Sequence, residues 1–273
     1  MIITKVDGGL GNQMFKYAHG FHVARTNATD LKLDLSWFEN IRDDEATRKY
    51  GLGIFSIYED FATEEEVESV LKKHIPLLKP VRLTPHNFYV GKKIYKDVYL
   101  DGQWQSEKYF KGSRDAIIKQ FTLKSELQNF GGNVRHSIEM SESVSLHIRR
   151  TDYVTTKKHK YHQCDLEYYN SAIKKITEVH KNIEIFVFSD DMRWTKEHIV
   201  FEYPTHFVEG YKDYEDIFLM SLCKHNVIAN SSFSWWGAWL SQHKNKITIA
   251  PKHWFADKKR KSDDIIPPDW ITL

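Results

Sequence analysis

The feature that most constrains this chain is the alternation of strand-like and helix-like patterns along its second half. Val144, Leu146 and Ile148 alternate with polar residues, as a strand requires. Asp165 then caps a predicted helix with one apolar face, made of Leu166, Tyr169, Ala172, Ile173, Ile176 and Val179. Further strands are predicted at 185–188, 227–229 and 247–250, and further helices at 213–224 and 233–241. This order predicts a parallel α/β sheet with helices on both faces.

The first half opens in the same way. Residues 2–6 predict a buried strand, a glycine turn follows at 8–12, and residues 31–34 predict the next strand. The helix between them carries its apolar residues at Met14, Tyr17, Ala18 and Phe21. Beyond this opening we expect a capping box at 63–66 that opens a helix, irregular helical structure over 40–95 and a strand within 98–104. A glycine-containing linker at 128–133 predicts two domains, 1–135 and 136–273.

Composition excludes several classes of protein. With 273 residues, 41% hydrophobic and 28% charged, the chain is a folded globular protein rather than a disordered or collagen-like one. The net charge of +2 is too balanced for a protein that binds nucleic acid through its overall field. Cys164 and Cys223 are far apart and lack the spacing of a zinc cluster or a disulfide framework. Any anion that this protein binds must therefore be held by local groups.

Ligands of parallel α/β sheets bind at the carboxyl ends of the strands, so the residues that follow each strand are the candidate site. After the first strand, Gly8-Gly9-Leu10-Gly11-Asn12-Gln13 could bring backbone amides close to a phosphate or a sugar. It lacks the Gly-Lys-Ser/Thr of a P-loop, and Met14 occupies the third glycine position of the dinucleotide fingerprint. A tight structural turn is the alternative interpretation.

Two further strand ends carry charged residues. His147 and Arg149 project from one face of their strand, where a guanidinium could bind a diphosphate with two parallel hydrogen bonds. The alternative is a structural Arg-Asp pair beside a core histidine. Asp190 and Asp191 follow the next strand. They could hold a divalent metal, or one could read guanine while the other caps the next helix.

The fourth segment is Asn230-Ser231-Ser232-Phe233-Ser234-Trp235-Trp236-Gly237-Ala238-Trp239. Hydroxyls and free amides at a helix start form an anion site without positive side chains. Core packing of the tryptophans is the alternative function of this stretch.

Taken together and in order, these segments resemble those of the α-1,2-fucosyltransferases of glycosyltransferase family 11. The resemblance runs from residue 8 to about residue 255 and rests on Gly8-Gly9-Leu10-Gly11-Asn12-Gln13-Met14-Phe15, His147-Ile148-Arg149-Arg150-Thr151-Asp152-Tyr153, Phe188-Ser189-Asp190-Asp191 and Asn230-Ser231-Ser232-Phe233-Ser234-Trp235-Trp236. It implies a GT-B-like fold of two Rossmann-like domains with a cleft between them. The second domain would hold the donor, GDP-β-L-fucose.

The resemblance also implies roles for single residues. Arg149 resembles the arginine that binds the donor β-phosphate, His147 the residue that lines the nucleotide, and Asp191 the carboxylate that reads guanine. Hydroxyls around the diphosphate would come from Ser231, Ser232 and Ser234, and the first-domain loop facing the sugar from Gly9, Gly11 and Asn12. Related fucosyltransferases of this fold work without metal, so we expect no metal and no other cofactor.

Chemistry adds a mechanism to these expectations. Displacement of GDP builds negative charge on the β-phosphate, and Arg149 with the serine-lined helix start would stabilise it in an inverting, in-line transfer. The base that accepts the acceptor proton could be a carboxylate, a histidine or water. Asp152 is the candidate, and its alternative role is to pair with Arg150 or to cap a turn.

The expected reaction is fucosyl transfer to the 2-hydroxyl of a galactoside, in an oligosaccharide or a lipid-linked glycan made for a surface polysaccharide. The alternatives are another linkage, or a non-catalytic carbohydrate-binding protein with this fold. The sequence has no signal peptide pattern and no apolar run near the roughly 20 residues of a bilayer span, which predicts a cytoplasmic protein. The basic run at 258–261 could contact the inner membrane surface, and a solvated charge run is the alternative.

Overall fold

The computed structural model describes residues 1–39, 48–72, 82–83, 97–257, 259, 262 and 264–273. The chain forms two compact units, Met1–Gln128 and Asn129–Leu273. The division falls before the expected boundary at 135/136, because the residues around 130–135 pack against the second unit. The Phe130 ring lies 5.5 Å from that of Phe218, and the Arg135 guanidinium lies over the same Phe218 ring. Much of the expected irregular region at 40–95 lies outside the described residues, as does most of the basic run at 258–261.

The first unit is an α/β unit. Its strands are β1 (Ile2–Lys5), β2 (Leu31–Asp34), β3 (Arg82–Leu83) and β4 (Val98–Leu100), and its helices are α1 (Leu10–Thr26), α2 (Ser36–Glu39), α3 (Glu64–Lys72) and α4 (Arg114–Gln120). Short 3-10 turns lie at Leu52–Ile54, Glu107–Tyr109, Lys111–Ser113 and Ser125–Leu127. The described strands are parallel and lie in the order β2-β1-β4-β3.

Local signals place several of these elements. Of the predicted apolar face, helix α1 buries Met14, Tyr17 and Ala18, whereas Phe21 is only half-buried. The predicted capping box is also confirmed, since Glu66 N donates to Thr63 Oγ1 at 3.2 Å and Thr63 N donates to Glu66 Oε2 at 2.9 Å. Strand β4 is shorter than the predicted 98–104, and Trp104 has a left-handed φ of 50°, which a strand does not accommodate.

The second unit contains the predicted βαβ alternation. Its strands are β5 (Glu142–Ile148), β6 (Ile183–Ser189), β7 (Thr205–Phe207), β8 (His225–Val227), β9 (Thr248–Ala250) and β10 (Ile271–Thr272). Its helices are α5 (Gly132–Met140), α6 (Thr151–Val154), α7 (Leu166–Thr177), α8 (Met192–His198), α9 (Asp213–Leu222) and α10 (Ser232–Leu240). The sequence did not predict β7 and β10, which are short strands at the two edges of the sheet.

The strand order of the second unit is that of a dinucleotide-binding sheet. The described strands pair in parallel in the order β10-β9-β8-β5-β6-β7. Numbered along the chain from β5, this is the order 3-2-1-4-5-6 of the doubly wound fold, with its reversal between β5 and β8. Both halves of the sheet therefore meet at the carboxyl ends of these two strands.

Strand β5 is buried on both faces. On one face Val144, Leu146 and Ile148 pack in a core with α7, which buries Tyr169, Ala172, Ile173 and Ile176 as predicted. Two residues predicted for the same apolar face are exposed instead, Leu166 at 38% and Val179 at 68%. Leu166 is the first residue of α7 and Val179 lies beyond its end at Thr177, so neither has a full helical turn beside the core.

The other face is covered by α9 and α10. Asn226 Nδ2 donates to Ser145 Oγ at 2.7 Å and to the Met220 carbonyl at 2.9 Å, which ties β5 and β8 to α9. The two helices approach closely at Gly237, where a Cβ would lie 2.8 Å from the Cβ of Met220. Glycine at this position therefore sets the distance between α9 and α10.

Candidate active site

The candidate site lies where the strand order of the second unit reverses. Strand β5 ends at Ile148 and β8 at Val227, so Arg149 and the segment 228–232 follow the two strands that flank the reversal. In open α/β sheets this crevice, outside the carboxyl ends of the strands, is the usual ligand site. The structure thus brings together the second-unit residues that follow β5, β6 and β8.

Arg149 is held by two carboxylates. Its Nη2 lies 2.7 Å from Asp152 Oδ1, and its Nη1 lies 3.0 Å from Asp190 Oδ2. The guanidinium carbon lies 5.5 Å from the centre of the Tyr153 ring. The side chain is 23% exposed, so an incoming anion can still reach it. A guanidinium has five N–H groups in a planar fork, and these two ion pairs leave others for a phosphate.

Asp152 is a bridge between two cations. Besides Arg149, it accepts a hydrogen bond from Lys157 Nζ at 2.7 Å. Burial alone would raise the pKa of Asp152, but Lys157 and Arg149 outweigh burial and hold this pKa below its usual value. The pairing expected from the sequence as the structural alternative was with Arg150, whereas the structure pairs Asp152 with Arg149 and Lys157.

Asp191 has partners for both of its oxygens. Oδ1 accepts a hydrogen bond from Trp194 N at 3.2 Å and so caps α8, and Oδ2 lies 3.3 Å from Arg150 Nε. Arg150 also stacks on Trp194, with its guanidinium carbon 3.5 Å from the ring centre. Each oxygen has one such contact and keeps a second lone pair that could accept from guanine, and that role of Asp191 stays a prediction.

His147 lies on the α10 side of β5. It is 3% exposed, and its ring centre lies 5.6 Å from that of Phe233. Burial lowers the pKa of His147 to about 4, with Asp190 opposing and Arg149 reinforcing the effect. The imidazole is therefore neutral near pH 7. Its Nδ1 is buried and has no hydrogen-bond partner among the residues that the structure describes.

The start of α10 supplies one capping hydroxyl. Ser231 Oγ accepts from Phe233 N at 3.3 Å, and Ser232 is partly buried in the first turn. Ser234 is fully buried, and its hydroxyl lies 3.5 Å from both the Ala229 and the Ser231 carbonyl oxygens. Of the three predicted serines, Ser231 and Ser232 therefore lie at the helix start, and Ser234 is directed into the backbone.

The rest of this segment is structural. Trp235, Trp236 and Trp239 are buried in the core, as the alternative interpretation predicted. Asn230 Nδ2 donates to the His162 and Trp254 carbonyl oxygens, both at 2.7 Å. The Asn230 side chain thus joins two loops at the carboxyl edge of the sheet.

Asp216 in α9 is a further candidate that no sequence pattern singles out. It precedes Met220 by one helical turn, so both lie on the face that meets α10. In α10, Gly237 is the residue that contacts Met220, and Phe233 precedes Gly237 by one helical turn. Since α9 and α10 both follow strands of one parallel sheet, they run in the same direction. Asp216 therefore lies toward Phe233 and the carboxyl edge.

The carboxyl group of Asp216 is in an unusual setting. Its Oδ1 is inaccessible to solvent and has no hydrogen-bond partner in the described part of the chain. Burial, with contributions from Asp213 and Glu215, raises the pKa of Asp216 to about 7. It is one of three acidic residues in the first turn of α9, where negative charge is favourable, and its burial distinguishes it from the other two.

The first unit carries the glycine turn at the start of α1. Gly8 has φ 78°, which favours glycine, and a Cβ added at Gly9 would meet no atom within 4 Å. Asn12 Oδ1 accepts from Gln105 Nε2 at 2.8 Å. Gln13 Nε2 donates to the Gly8 carbonyl at 2.8 Å and so fixes the turn. Gly9 and Asn12 are partly exposed at this turn, whereas Gly11 is buried.

One group of described residues has the composition of a metal site. Ligand atoms of Glu142, His180 and His225 lie within 4.8 Å of one another at the opposite end of β5. However, Lys224 Nζ lies 3.0 Å from Glu142 Oε2, and His225 Nδ1 accepts from Ile247 N at 3.0 Å. A metal-bound histidine normally donates through its second nitrogen, so these contacts favour an ion-pair network.

No described helix combines the length and apolar character needed to cross a bilayer.

Comparisons with known proteins agree with this architecture. The sequence model described as Glycosyl transferase family 11 matches residues 84–273. The chain is 32% identical to an alpha-1,2-colitosyltransferase of Escherichia coli, over 100% of this chain and 99% of that protein. It is also 32% identical to the O-antigen biosynthesis glycosyltransferase WbnK of Escherichia coli, over 98% and 99%. Identity to the galactoside 2-alpha-L-fucosyltransferase Sec1 of Mus musculus is 27%, over 88% and 64%.

Among solved structures, the fucosyltransferase NodZ from Bradyrhizobium superposes with a TM-score of 0.55 at 12% identity, over 87% of this chain and 92% of that chain. This likeness supports the fold, which is α/β and GT-B-like as predicted. The two full-length relatives and the family match support glycosyltransferase activity. The chain belongs to glycosyltransferase family 11.

Proposed function

We propose that this protein transfers L-fucose from GDP-β-L-fucose to the 2-hydroxyl of a galactoside, with inversion at the sugar carbon. The acceptor would be a galactose-containing oligosaccharide or lipid-linked glycan that is built into a polysaccharide. The family and the names of the relatives support this class of donor and acceptor, since they include an O-antigen glycosyltransferase and a galactoside fucosyltransferase.

The observation that carries the proposal is the placement of Arg149. It follows the central strand β5 at the reversal of the sheet, and carboxylates on two sides fix its guanidinium. Arginine in this setting is suited to a diphosphate, because its planar fork donates two parallel hydrogen bonds. The neutral His147 and the start of α10 would line the rest of the donor site.

The balance of charges at this edge of the sheet favours a role for Arg149 in stabilising the transition state. Three cations, Arg149, Arg150 and Lys157, are matched by three carboxylates, Asp152, Asp190 and Asp191. A near-neutral cluster binds the ground-state diphosphate modestly. As the bond to fucose breaks, charge grows on the β-phosphate oxygens, and fixed donors nearby stabilise this charge more than that of the intact donor.

We propose that the reaction needs no metal. Asp190 and Asp191 were the residues that could have formed a metal clamp, and each already contacts an arginine. A divalent cation there would have to compete with these arginines for the two carboxylates. In the proposed mechanism the arginine takes the electrostatic part that a magnesium ion plays in other nucleotide-sugar enzymes.

The second candidate donor is GDP-colitose. It is favoured by the full-length similarity to the colitosyltransferase, which equals that to the O-antigen glycosyltransferase. Colitose is fucose without its 3-hydroxyl, so both donors present the same diphosphate and the same 2-hydroxyl to the site. In the proposed site Arg149, His147 and the start of α10 would contact the nucleotide diphosphate, so they would not distinguish these sugars.

The decisive experiment measures GDP release from GDP-fucose, GDP-colitose and GDP-mannose, with and without a β-galactoside, in buffer containing EDTA. Acceptor-stimulated release from GDP-fucose supports the proposal, and preferential release from GDP-colitose supports the second candidate. Loss of release in EDTA that returns with Mg²⁺ would contradict the metal-free mechanism. Sugar binding with no release from any donor would favour a non-catalytic carbohydrate-binding protein. Nuclear magnetic resonance of the product then gives the linkage.

A further inference from the structure

Asp190, which follows β6, is the carboxylate that joins the ends of two strands at the candidate site. Its Oδ1 accepts a hydrogen bond from Arg150 N at 2.8 Å. Its Oδ2 lies 3.0 Å from Arg149 Nη1 and also accepts from the Thr151 hydroxyl. One side chain thus contacts the backbone, the guanidinium and the hydroxyl of three consecutive residues on the neighbouring strand end.

The backbone fixes the position of this carboxylate. Ser189 is the register partner of Ile148, so Asp190 and Arg149 come directly after paired residues of adjacent parallel strands. The contact with Arg150 N is a bond to the main chain, which does not change rotamer. The side chain of Asp190 is 19% exposed, so it is partly shielded from water.

The two carboxylates that hold Arg149 differ in their own support. Asp152 lies three residues after Arg149 and shares its charge with Lys157, whose side chain is 44% exposed. Asp190 comes from the next strand and is bonded to the backbone of Arg150. Contacts at Nη1 and Nη2 together set the plane of a guanidinium. Of the two carboxylates that make these contacts, Asp190 is therefore the more rigidly held.

We infer that Asp190 is a positioning residue for the donor: it sets the plane of the Arg149 guanidinium so that its remaining N–H groups meet the diphosphate. This inference rests on the proposed function. Electrostatics alone predicts the opposite role for Asp190, because a carboxylate repels a nearby diphosphate. On charge alone, removal of Asp190 would tighten donor binding and spare turnover.

The test compares Asp190→Asn with the wild type. Asparagine keeps an oxygen that can accept the hydrogen bond from Arg150 N. Its NH2 group, which takes the place of Oδ2, is a donor and cannot accept from Arg149 Nη1. We expect kcat with GDP-fucose and acceptor to fall about 100-fold, since a misplaced catalytic group costs about this much. A kcat within about 3-fold of the wild type would overturn the inference.

A double-mutant cycle separates positioning from a general structural effect. If Asp190 acts through Arg149, Asp190→Asn in an Arg149→Ala background should change kcat by less than about 3-fold. Full additivity of the two losses would overturn the inference. Thr151→Val removes the hydroxyl that donates to Asp190 but keeps the contact between Asp190 and Arg149. We therefore expect a much smaller loss of kcat than for Asp190→Asn.

Glu142→Gln is the matched control. Glu142 begins β5 and also joins strands, with its carboxylate 2.8 Å from His225 Nε2 and 3.0 Å from Lys224 Nζ, but it lies at the opposite end of the sheet. We expect a lower melting temperature and an unchanged kcat. A kcat loss equal to that of Asp190→Asn would mean that any broken strand link disables the enzyme, which overturns the inference.

The result remains distinguishable from failure of the proposed function. If the wild type turns over none of the GDP-sugars, the proposed function fails. The same cycle is then measured on the dissociation constant of GDP. Coupled losses for Asp190→Asn and Arg149→Ala would support positioning of Arg149 in a nucleotide site. Tighter GDP binding by Asp190→Asn would overturn it.

Discussion

Arg149 is the residue on which the proposed chemistry depends most. We expect Arg149→Ala to lower kcat by more than about 100-fold, the usual cost of losing a donor that stabilises developing charge. Arg149→Lys keeps the charge but loses the planar fork, so its activity should lie between those of the wild type and the alanine variant. Steady-state kinetics with GDP-fucose measures both, and circular dichroism checks the fold. Near-normal turnover by Arg149→Ala would remove Arg149 from the mechanism.

Asp152 tests which carboxylate accepts the acceptor proton. Its pKa is held low by Lys157 and Arg149, and a weakly basic carboxylate is a poor general base near pH 7. We therefore expect Asp152→Asn to lower kcat by less than about 10-fold, because it removes an ion pair and not a base. A loss above about 100-fold at unchanged donor affinity would assign the proton transfer to Asp152.

Asp216 predicts a pH dependence of donor binding. Its pKa is raised to about 7, so if this carboxyl, rather than that of Asp191, reads guanine, its ionised form would accept the hydrogen bonds from the guanine N1–H and amino group. Donor affinity should then rise as pH increases through 7, with proton release on binding below that pH. Calorimetric titration with GDP-fucose is the suitable measurement, because its diphosphate diester does not titrate near neutrality. Asp216→Asn should bind more weakly and with no such rise, and an unchanged profile would rule Asp216 out.

Helices α9 and α10 meet at Met220 and Gly237, one helical turn beyond Asp216 and Phe233. Gly237→Ala would put a Cβ 2.8 Å from the Met220 Cβ, an atom that cannot swing away. Alanine favours a helix interior by about 1 kcal/mol over glycine, whereas overpacking a core costs about 1–3 kcal/mol. We expect the second effect to prevail and the free energy of unfolding in urea to fall. A stabilised variant would show that the two helices separate at little cost.

The elements that the sequence predicted are those with strong local signals. The period of β5, the Asp165 cap of α7 and the capping box at Thr63 depend on neighbours in the chain, and the structure confirms each. The short edge strands β7 and β10 lack the apolar run that predicted strands at 227–229 and 247–250, and they form because a neighbouring strand offers hydrogen bonds. Their existence is a property of the sheet rather than of their own residues.

The candidate site, too, has parts that could be predicted from the sequence and parts that could not. His147 lies near the end of β5, and Arg149 and Ser231 follow β5 and β8; these strands could be predicted, so the edge that the three residues share could be predicted too. The partners of Asp190 and Asp191 could not, because adjacent carboxylates in one Asp-Asp pair point to different segments, one to Arg149 and the other to α8. Asp216 was hidden for a similar reason, since its role depends on how closely α10 approaches α9.

For the whole molecule, buried histidines predict loss of stability in acid. Burial lowers the pKa of His147 to about 4 in the second unit and that of His19 to about 3 in the first. An unfolded histidine has a pKa of about 6.5, so between that value and the folded values the unfolded chain binds more protons. The free energy of unfolding should therefore fall as pH decreases below about 6.5. Urea titrations from pH 8 to pH 4 check this, and a flat profile would contradict it.

Asp216 acts in the opposite direction, which makes its contribution separable. Because its folded pKa is raised to about 7, its protonated form is favoured in the folded state, and that stabilisation is lost as pH rises through 7. Above pH 7 the folded wild type must ionise this partly buried carboxyl, and Asp216→Asn removes that cost. In the absence of nucleotide, the variant should gain stability relative to the wild type at pH 8 and show little gain at pH 4. Equal changes at both pH values would mean that Asp216 ionises as freely in the folded protein as in the unfolded chain. In that case the Asp216 carboxyl, whose Oδ1 has no hydrogen-bond partner in the described part of the chain, would not link proton binding to donor binding.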